Sequence, residues 1–215
     1  YAGPLDRLLL LLGLNCGFGV AEIASLQVDE VVFRTAHSPD HRELLQYEST
    51  NADSFIKRVR RKSNVYGEFI LFPLTAAGLE WALKRRPTPS PDTIGRPLLL
   101  NSKGESFDKP TKTGNRNQQI PNYFGRLLKR IKNDGHDVSN LSFGKLRKTA
   151  GDRIRQLCSG EVMGVFLCHG NAVKTDDLAD VYSDRPFGKV FTAIHRFEEY
   201  LAPVFEAAGP DPFRE

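Results

Sequence analysis

The sequence predicts an α+β fold, mostly α, with a small antiparallel β-sheet at one side. Glu30 to Thr35 and Ser54 to Lys62 are rich in β-branched residues and arginine, and Glu68 to Pro73 continues them as a third short apolar run. Such runs suit strands on a half-buried pleated surface. Asn117 to Asn133 places Ile120, Tyr123, Phe124, Leu127, Leu128 and Ile131 near a 3.6-residue period, the mark of an amphipathic helix. The chain has 215 residues, 40% of them hydrophobic, enough for one sizeable core.

The elements follow in order. Pro4 to Leu14 is apolar enough for a buried helix, with Pro4 in its first turn. Its leucine run, Leu8 to Leu12 behind Arg7, resembles a signal-peptide core. No small-residue cleavage site follows, and the run is too short to span a bilayer, so no membrane partner is expected. Gly13, Gly17 and Gly19 break the chain, and Val20 to Leu26 reads as a second, short helix. The three strands come next, with a polar segment, His37 to Asp53, between the first two as a loop with a helical turn. Thr75 to Arg85 is a helix with Leu79, Trp81 and Leu83 as its apolar positions. Pro87, Pro89 and Pro91 make a loop, Arg96 to Leu100 is a short apolar piece, and Lys103 to Arg116 is polar and basic. After the amphipathic helix, Ser142 to Leu157 (with Ser142 as cap), Glu161 to Cys168, Thr175 to Tyr182 and Phe187 to Phe205 complete a helical C-terminal half.

Charge and cysteine content narrow the function classes. Lys+Arg number 30 against Asp+Glu 26, a net charge of +4, which admits a nucleic-acid partner without proving one. The three cysteines, Cys16, Cys158 and Cys168, form no CxxC pair, so a reducing, cytoplasmic setting without a disulfide framework is expected. Gly17-Phe18-Gly19 opens a dinucleotide-like pattern, but it follows a helix and Glu22 occupies the last glycine's place. The chain carries no Walker-type GK(S/T) and no His/Cys cluster of zinc spacing, and no cofactor or metal is expected.

Three residues stand out near the C-terminus: Arg147 in Leu-Arg-Lys-Thr-Ala near a helix start, His169 at the end of Val-Phe-Leu-Cys-His, and Tyr182 in Ala-Asp-Val-Tyr. An arginine at a helix start can hold a phosphate by two parallel hydrogen bonds. A histidine can hydrogen-bond a phosphate oxygen or relay a proton. A tyrosine is a poor nucleophile at its ordinary pKa of about 10, but nearby cations favour its phenolate. Each of the three alone has an ordinary structural use.

Their order and surroundings resemble the tyrosine recombinases, or phage-integrase family, over nearly the whole chain. Gly19-Val20-Ala21-Glu22-Ile23-Ala24-Ser25-Leu26 through Asp29-Glu30-Val31 is similar to the family's first block, and the strands ending in Phe72-Pro73-Leu74-Thr75 to its hairpin. The resemblance implies one catalytic domain over residues 1–215, with the family's N-terminal DNA-binding domain missing from what is expected to be a fragment starting at Tyr1. It implies that Tyr182 attacks a DNA phosphodiester to give a 3′-phosphotyrosyl link. Arg147 and His169 hold the non-bridging oxygens, and Lys62 in the hairpin turn, with Lys57 in reserve, protonates the leaving oxygen. The partners it implies are double-stranded DNA and, on DNA, a homo-tetramer. The basic hairpin residues Lys57, Arg58, Arg60, Arg61 and Lys62, the loop residues Lys109, Lys112 and Arg116, and Lys145 are the candidate DNA contacts.

The pattern departs from the family in four places. The first block's arginine falls on Gly19, or on Asn15 in another register, and the second block's histidine falls on Gly144. Losing one preorganised donor to a developing oxyanion costs roughly 10²–10³ in rate. Lys145 and Arg153 are the nearby candidates to replace them. In the third block the family's Leu-Gly-His reads Leu167-Cys168-His169, and the interval to the tyrosine is longer by a few residues. A catalytically silent DNA-binding module of the same descent is the second reading, and a type IB topoisomerase-like relaxer the third.

Overall fold

The computed structural model describes residues 1–110, 114, 118–139, 141–169 and 185–214. Eight helices and a three-stranded antiparallel sheet are found among them. The helices are α1 (Pro4–Asn15), α2 (Val20–Ala24), α3 (Pro39–Leu45), α4 (Pro73–Lys84), α5 (Gln119–Asn133), α6 (Gly144–Leu157), α7 (Gly160–Phe166) and α8 (Phe187–Ala208). The strands are β1 (Val31–Val32), β2 (Phe55–Arg60) and β3 (Val65–Ile70), in the order β1-β2-β3. The mostly helical class with a small antiparallel sheet is the one predicted. Among the described residues no helix is long and apolar enough to cross a membrane.

Helix α1 is the hub of the core. Leu8 and Leu12 are fully buried, and the helix packs on α4, α5 and α6. It runs through Gly13 because a bare Cα lets Leu146 of α6 approach, to 3.0 Å from where a Cβ would stand. Asn15 closes it inside the core. Its Nδ2 donates to Ile70 O at 2.8 Å, and its Oδ1 accepts Phe72 N–H at 2.7 Å. This one buried amide ends β3 by taking the ladder's next partners, and Pro73 then starts α4 at a position that needs no N–H.

Several boundaries differ from the sequence reading, each for a local reason. β1 is only Val31–Val32, because Arg34 takes a left-handed backbone (φ 42°) and turns the chain away. β3 begins and ends three residues earlier than expected. The hairpin turn closes at Asn64 (φ 52°), a residue type that tolerates this conformation, and pairs Arg60 directly with Val65. Ser142 does not cap α6: the helix begins one residue later, with Phe143 at the cap and no side-chain cap bond. Ser159 does cap α7, accepting Val162 N–H at 3.2 Å. The expected helix over Thr175 to Tyr182 lies outside the described residues.

The register of the hairpin decides what reaches the site. β2 pairs Arg58 with Gly67 and Lys57 with Glu68. Successive strand residues point to opposite faces, so Lys57 and Val59 are exposed while Arg58 is buried and Arg60 half-buried.

Candidate phosphate-binding site

Four elements meet at this site: the first turn of α2, the end of β2, the start of α6 and the turn after α7. Glu22 in α2 sits behind it. One carboxylate oxygen accepts Gly19 N–H at 3.1 Å, and the other accepts Arg60 Nε at 2.6 Å. Burial works against the Glu22 charge, but the Arg60 hydrogen bond and charge outweigh it, with Arg147 adding to the field, and hold its carboxyl below the usual range. Arg60 therefore arrives on β2 with its guanidinium tied down on one side.

Arg147 comes from the first turn of α6. It donates to Gly17 O at 2.5 Å and to Leu167 O at 2.6 Å, joining α6 to the loop after α1 and to the end of α7. A guanidinium carries five N–H donors, so these two bonds leave others for a ligand. Burial, and then the neighbouring charge of Arg60, press its pKa downward, but a guanidinium keeps its proton at any ordinary pH.

His169 follows directly and is exposed. Its backbone N–H closes the turn onto Gly164 O at 2.8 Å. Partial burial, then the charges of Arg147 and Arg60, lower its imidazole pKa, so it is neutral at neutral pH. Two guanidinium groups bearing on one imidazole, with the Glu22 carboxylate behind them, give a concentration of positive charge suited to an anion.

Cys168 is the pivot. It adopts φ 51°, in the left-handed region where the resembling pattern has glycine, and its thiol is buried. A Cβ on Gly67 would lie 2.4 Å from the Cys168 Sγ. The missing side chain on β3 is therefore what admits the thiol. Burial pushes that thiol up to about 11 despite Arg147, Arg60, Arg185 and Arg58 around it, so it is a packing group rather than a nucleophile. Ser63 of the hairpin turn donates to Cys168 O at 3.4 Å, which sets the turn beside the histidine. Arg185, where the described chain resumes, donates to Tyr66 O at 2.7 Å on the same strand.

The structure thus brings Arg147 and His169 together, with Lys62 exposed in the adjoining turn. Tyr182, Lys112 and Arg116 lie outside the described residues. Arg58, one of the candidate DNA contacts, is 5% exposed and donates to Glu22 O at 2.7 Å and Ser25 Oγ at 3.0 Å, with its Nε 3.5 Å from Glu30. It is a buried tether between β2 and α2, not a surface cation. Arg60 also leaves the surface set and enters the site. Lys57, Arg61 and Lys145 remain exposed, with Arg61 paired to Asp108 at 2.5 Å and Lys109 to Glu105 at 3.1 Å.

The two glycines are resolved differently. Beside Gly19 the space is taken by Glu22, 2.9 Å from a would-be Cβ, with Arg60 bonded behind it. Beside Gly144, among the described residues, only Ser142 Oγ comes within 4 Å of a would-be Cβ. Arg153 is no substitute there, since its guanidinium lies over the Tyr200 ring at 3.7 Å. Sequence reasoning placed Arg60 among the DNA contacts of the hairpin but not beside Arg147 and His169, and it gave Glu22 no role in the site. The period-2 alternation within Phe55–Arg60 was the available signal, because it puts residues 58 and 60 on one face.

No protein-family model matches the chain, and no curated protein matches it in sequence. Solved structures do. The Tn1549 transposon integrase in complex with circular-intermediate DNA aligns with a TM-score of 0.52 at 15% identity, over 85% of this chain and 58% of that one. An arginine-to-lysine variant with circular-intermediate DNA aligns at 0.51 and 14% identity, over 84% and 58%. A tyrosine-to-phenylalanine variant with transposon right-end DNA aligns at 0.52 and 14% identity, over 92% and 59%. The likeness is one of fold, and the chain spans under three-fifths of the length of these integrase chains.

Proposed function

We propose that this chain binds DNA through the Arg147–Arg60–His169 pocket and breaks and rejoins one strand at a time with Tyr182 as nucleophile, as a tyrosine recombinase does. The convergence of Arg147, Arg60 and His169 on one spot, backed by Glu22, carries the reading. The fold shared with an integrase solved on DNA supports it. Arg147 and Arg60 neutralise the non-bridging oxygens of the scissile phosphate, and neutral His169 hydrogen-bonds one of them. The Tyr182 hydroxyl, its phenolate favoured by the neighbouring cations, loses its proton to solvent as its oxygen attacks phosphorus; the P–O5′ bond breaks, and the 5′-oxygen leaves with a proton. Neither guanidinium can give that proton, because arginine stays charged. Lys62, exposed in the turn next to Ser63, is the donor in this scheme. Attack of another 5′-hydroxyl on the phosphotyrosine reverses the step and exchanges strands.

A second reading, a DNA-binding module that no longer cuts, is favoured by one observation: among the described residues no basic side chain comes within 4 Å of where a Cβ on Gly144 would stand. Incubation with a nicked suicide duplex and a denaturing gel separates the two. A covalent adduct formed by the natural chain and lost in Tyr182→Phe supports cleavage. A mobility shift without adduct supports the binder. No shift at all, or a shift unchanged in Arg60→Gln and Arg147→Gln, defeats the pocket itself.

A further inference from the structure

Outside the candidate phosphate-binding site, one group of side chains among the described residues has metal-ligand chemistry. His37, just before α3, His41 in its first turn and Glu68 on β3 bring three ligand atoms within 4.8 Å of one another. His37 and Glu68 are buried, and His41 is partly exposed. The sequence reading passed over them because the carboxylate comes from a distant strand.

We propose that His37, His41 and Glu68 form a zinc-type divalent-metal site that fastens α3 to the sheet. His37 Nε2 lies 2.6 Å from Glu68 Oε1, and His41 Nε2 lies 3.5 Å from Glu68 Oε2. Metal–ligand bonds of about 2.0–2.2 Å in a tetrahedron set neighbouring ligand atoms about 3.3 Å apart. These two separations lie on either side of that value, and all three ligand atoms lie within 4.8 Å of one another, so the side chains draw together around an ion without any element having to move. Two imidazoles and one carboxylate are a donor set that zinc favours.

The surroundings hold these side chains in place. The His37 ring stacks on Phe55 with centroids 4.3 Å apart. Ser38 accepts His41 N–H at 3.3 Å, which starts α3 with His41 in its first turn and His37 immediately ahead of the cap. Tyr66, two residues before Glu68 and so on its face of the strand, donates its hydroxyl to Glu68 Oε2 at 2.7 Å. A hydrogen bond to a ligating carboxylate is the outer-shell support that metal sites use. Partial exposure of His41 leaves a way in for the ion and a fourth position for water.

The test uses protein stripped with a chelator and titrated with zinc chloride by calorimetry, with Tm followed in parallel. The expected result is one zinc per chain and a Tm raised by about 5 °C at saturating metal. Glu68→Gln and His41→Ala should each weaken zinc by at least the roughly 10–100-fold that loss of an outer-shell partner costs. Cobalt(II) bound to the unaltered chain should show tetrahedral nitrogen/oxygen ligand-field bands, a readout that needs no variant to fold. Absence of saturable zinc binding overturns the proposal. So does thiolate-to-cobalt charge transfer, or zinc affinity that persists in both variants, since either places the metal elsewhere, for example at the exposed Cys158.

Discussion

Arg60 Nε stands 2.6 Å from Glu22 Oε1, so the cation that enters the site from β2 is held by the same carboxylate that caps α2. Glu22 thus links a helix start to a strand end. Its folded carboxyl sits below its ordinary range because Arg60 outweighs the cost of burial. A depressed folded pKa stabilises above the unfolded value of about 4.3 and loses that contribution as pH falls through the folded one. Glu22→Gln should therefore lower stability at neutral pH and flatten the loss of stability on acidification. Urea midpoints measured between neutral pH and pH 3 check this, and a parallel pair of curves would rule it out.

Removing Arg60 should be felt at His169. Its imidazole is held low by burial first and by Arg147 and Arg60 after it. In Arg60→Gln one repelling charge is gone, so the His169 titration midpoint rises. Bound phosphate analogue should raise it in the unaltered chain. Proton NMR titration reads both effects, and an unmoved midpoint would separate Arg60 from the site.

Arg147 has a structural task as well as a ligand-binding one, since Gly17 O and Leu167 O both depend on it. Lysine cannot reproduce a planar fork that reaches two carbonyls. Arg147→Lys should cost about 1–3 kcal/mol, for the acceptors left unpaired, and should weaken DNA binding too. Chemical denaturation and fluorescence anisotropy measure the two losses separately.

Gly67 and Cys168 are matched. Gly67→Ala puts a methyl 2.4 Å from the Cys168 Sγ and should cost about 1–3 kcal/mol as an overpacked site. Cys168→Gly removes the obstructing thiol and suits the φ 51° backbone. The double variant should then recover most of the Gly67→Ala loss. A double-mutant cycle of unfolding free energies tests the coupling, and additive losses would refute it.

The basic hairpin should divide by face. Lys57→Ala, on the exposed face, should leave stability unchanged and reduce the salt dependence of DNA binding by about one phosphate contact. Arg58→Ala, which leaves Glu22 O and Ser25 Oγ without their donor, should destabilise by about 3–5 kcal/mol instead. Thermal melts beside salt-dependent anisotropy distinguish the two residues.

The local patterns were strong enough to be read without coordinates. The apolar spacing of Ile120, Phe124 and Leu127 announced α5, and Pro4 marked the start of α1, whereas Pro73, read as the end of a strand, opens α4. The likeness of the blocks around Glu22, Arg147 and His169 to one family pointed to the fold that solved structures share. Tertiary structure decided what those residues do. Five basic side chains within residues 57–62 look alike in one dimension. Only the pairing of Arg58 with Gly67, which sets the faces of β2, buries one, turns another to Glu22 and leaves the rest at the surface. Charge and type are properties of the residue itself, but partner and direction come from chain segments far apart in sequence, and those meet only when the core closes.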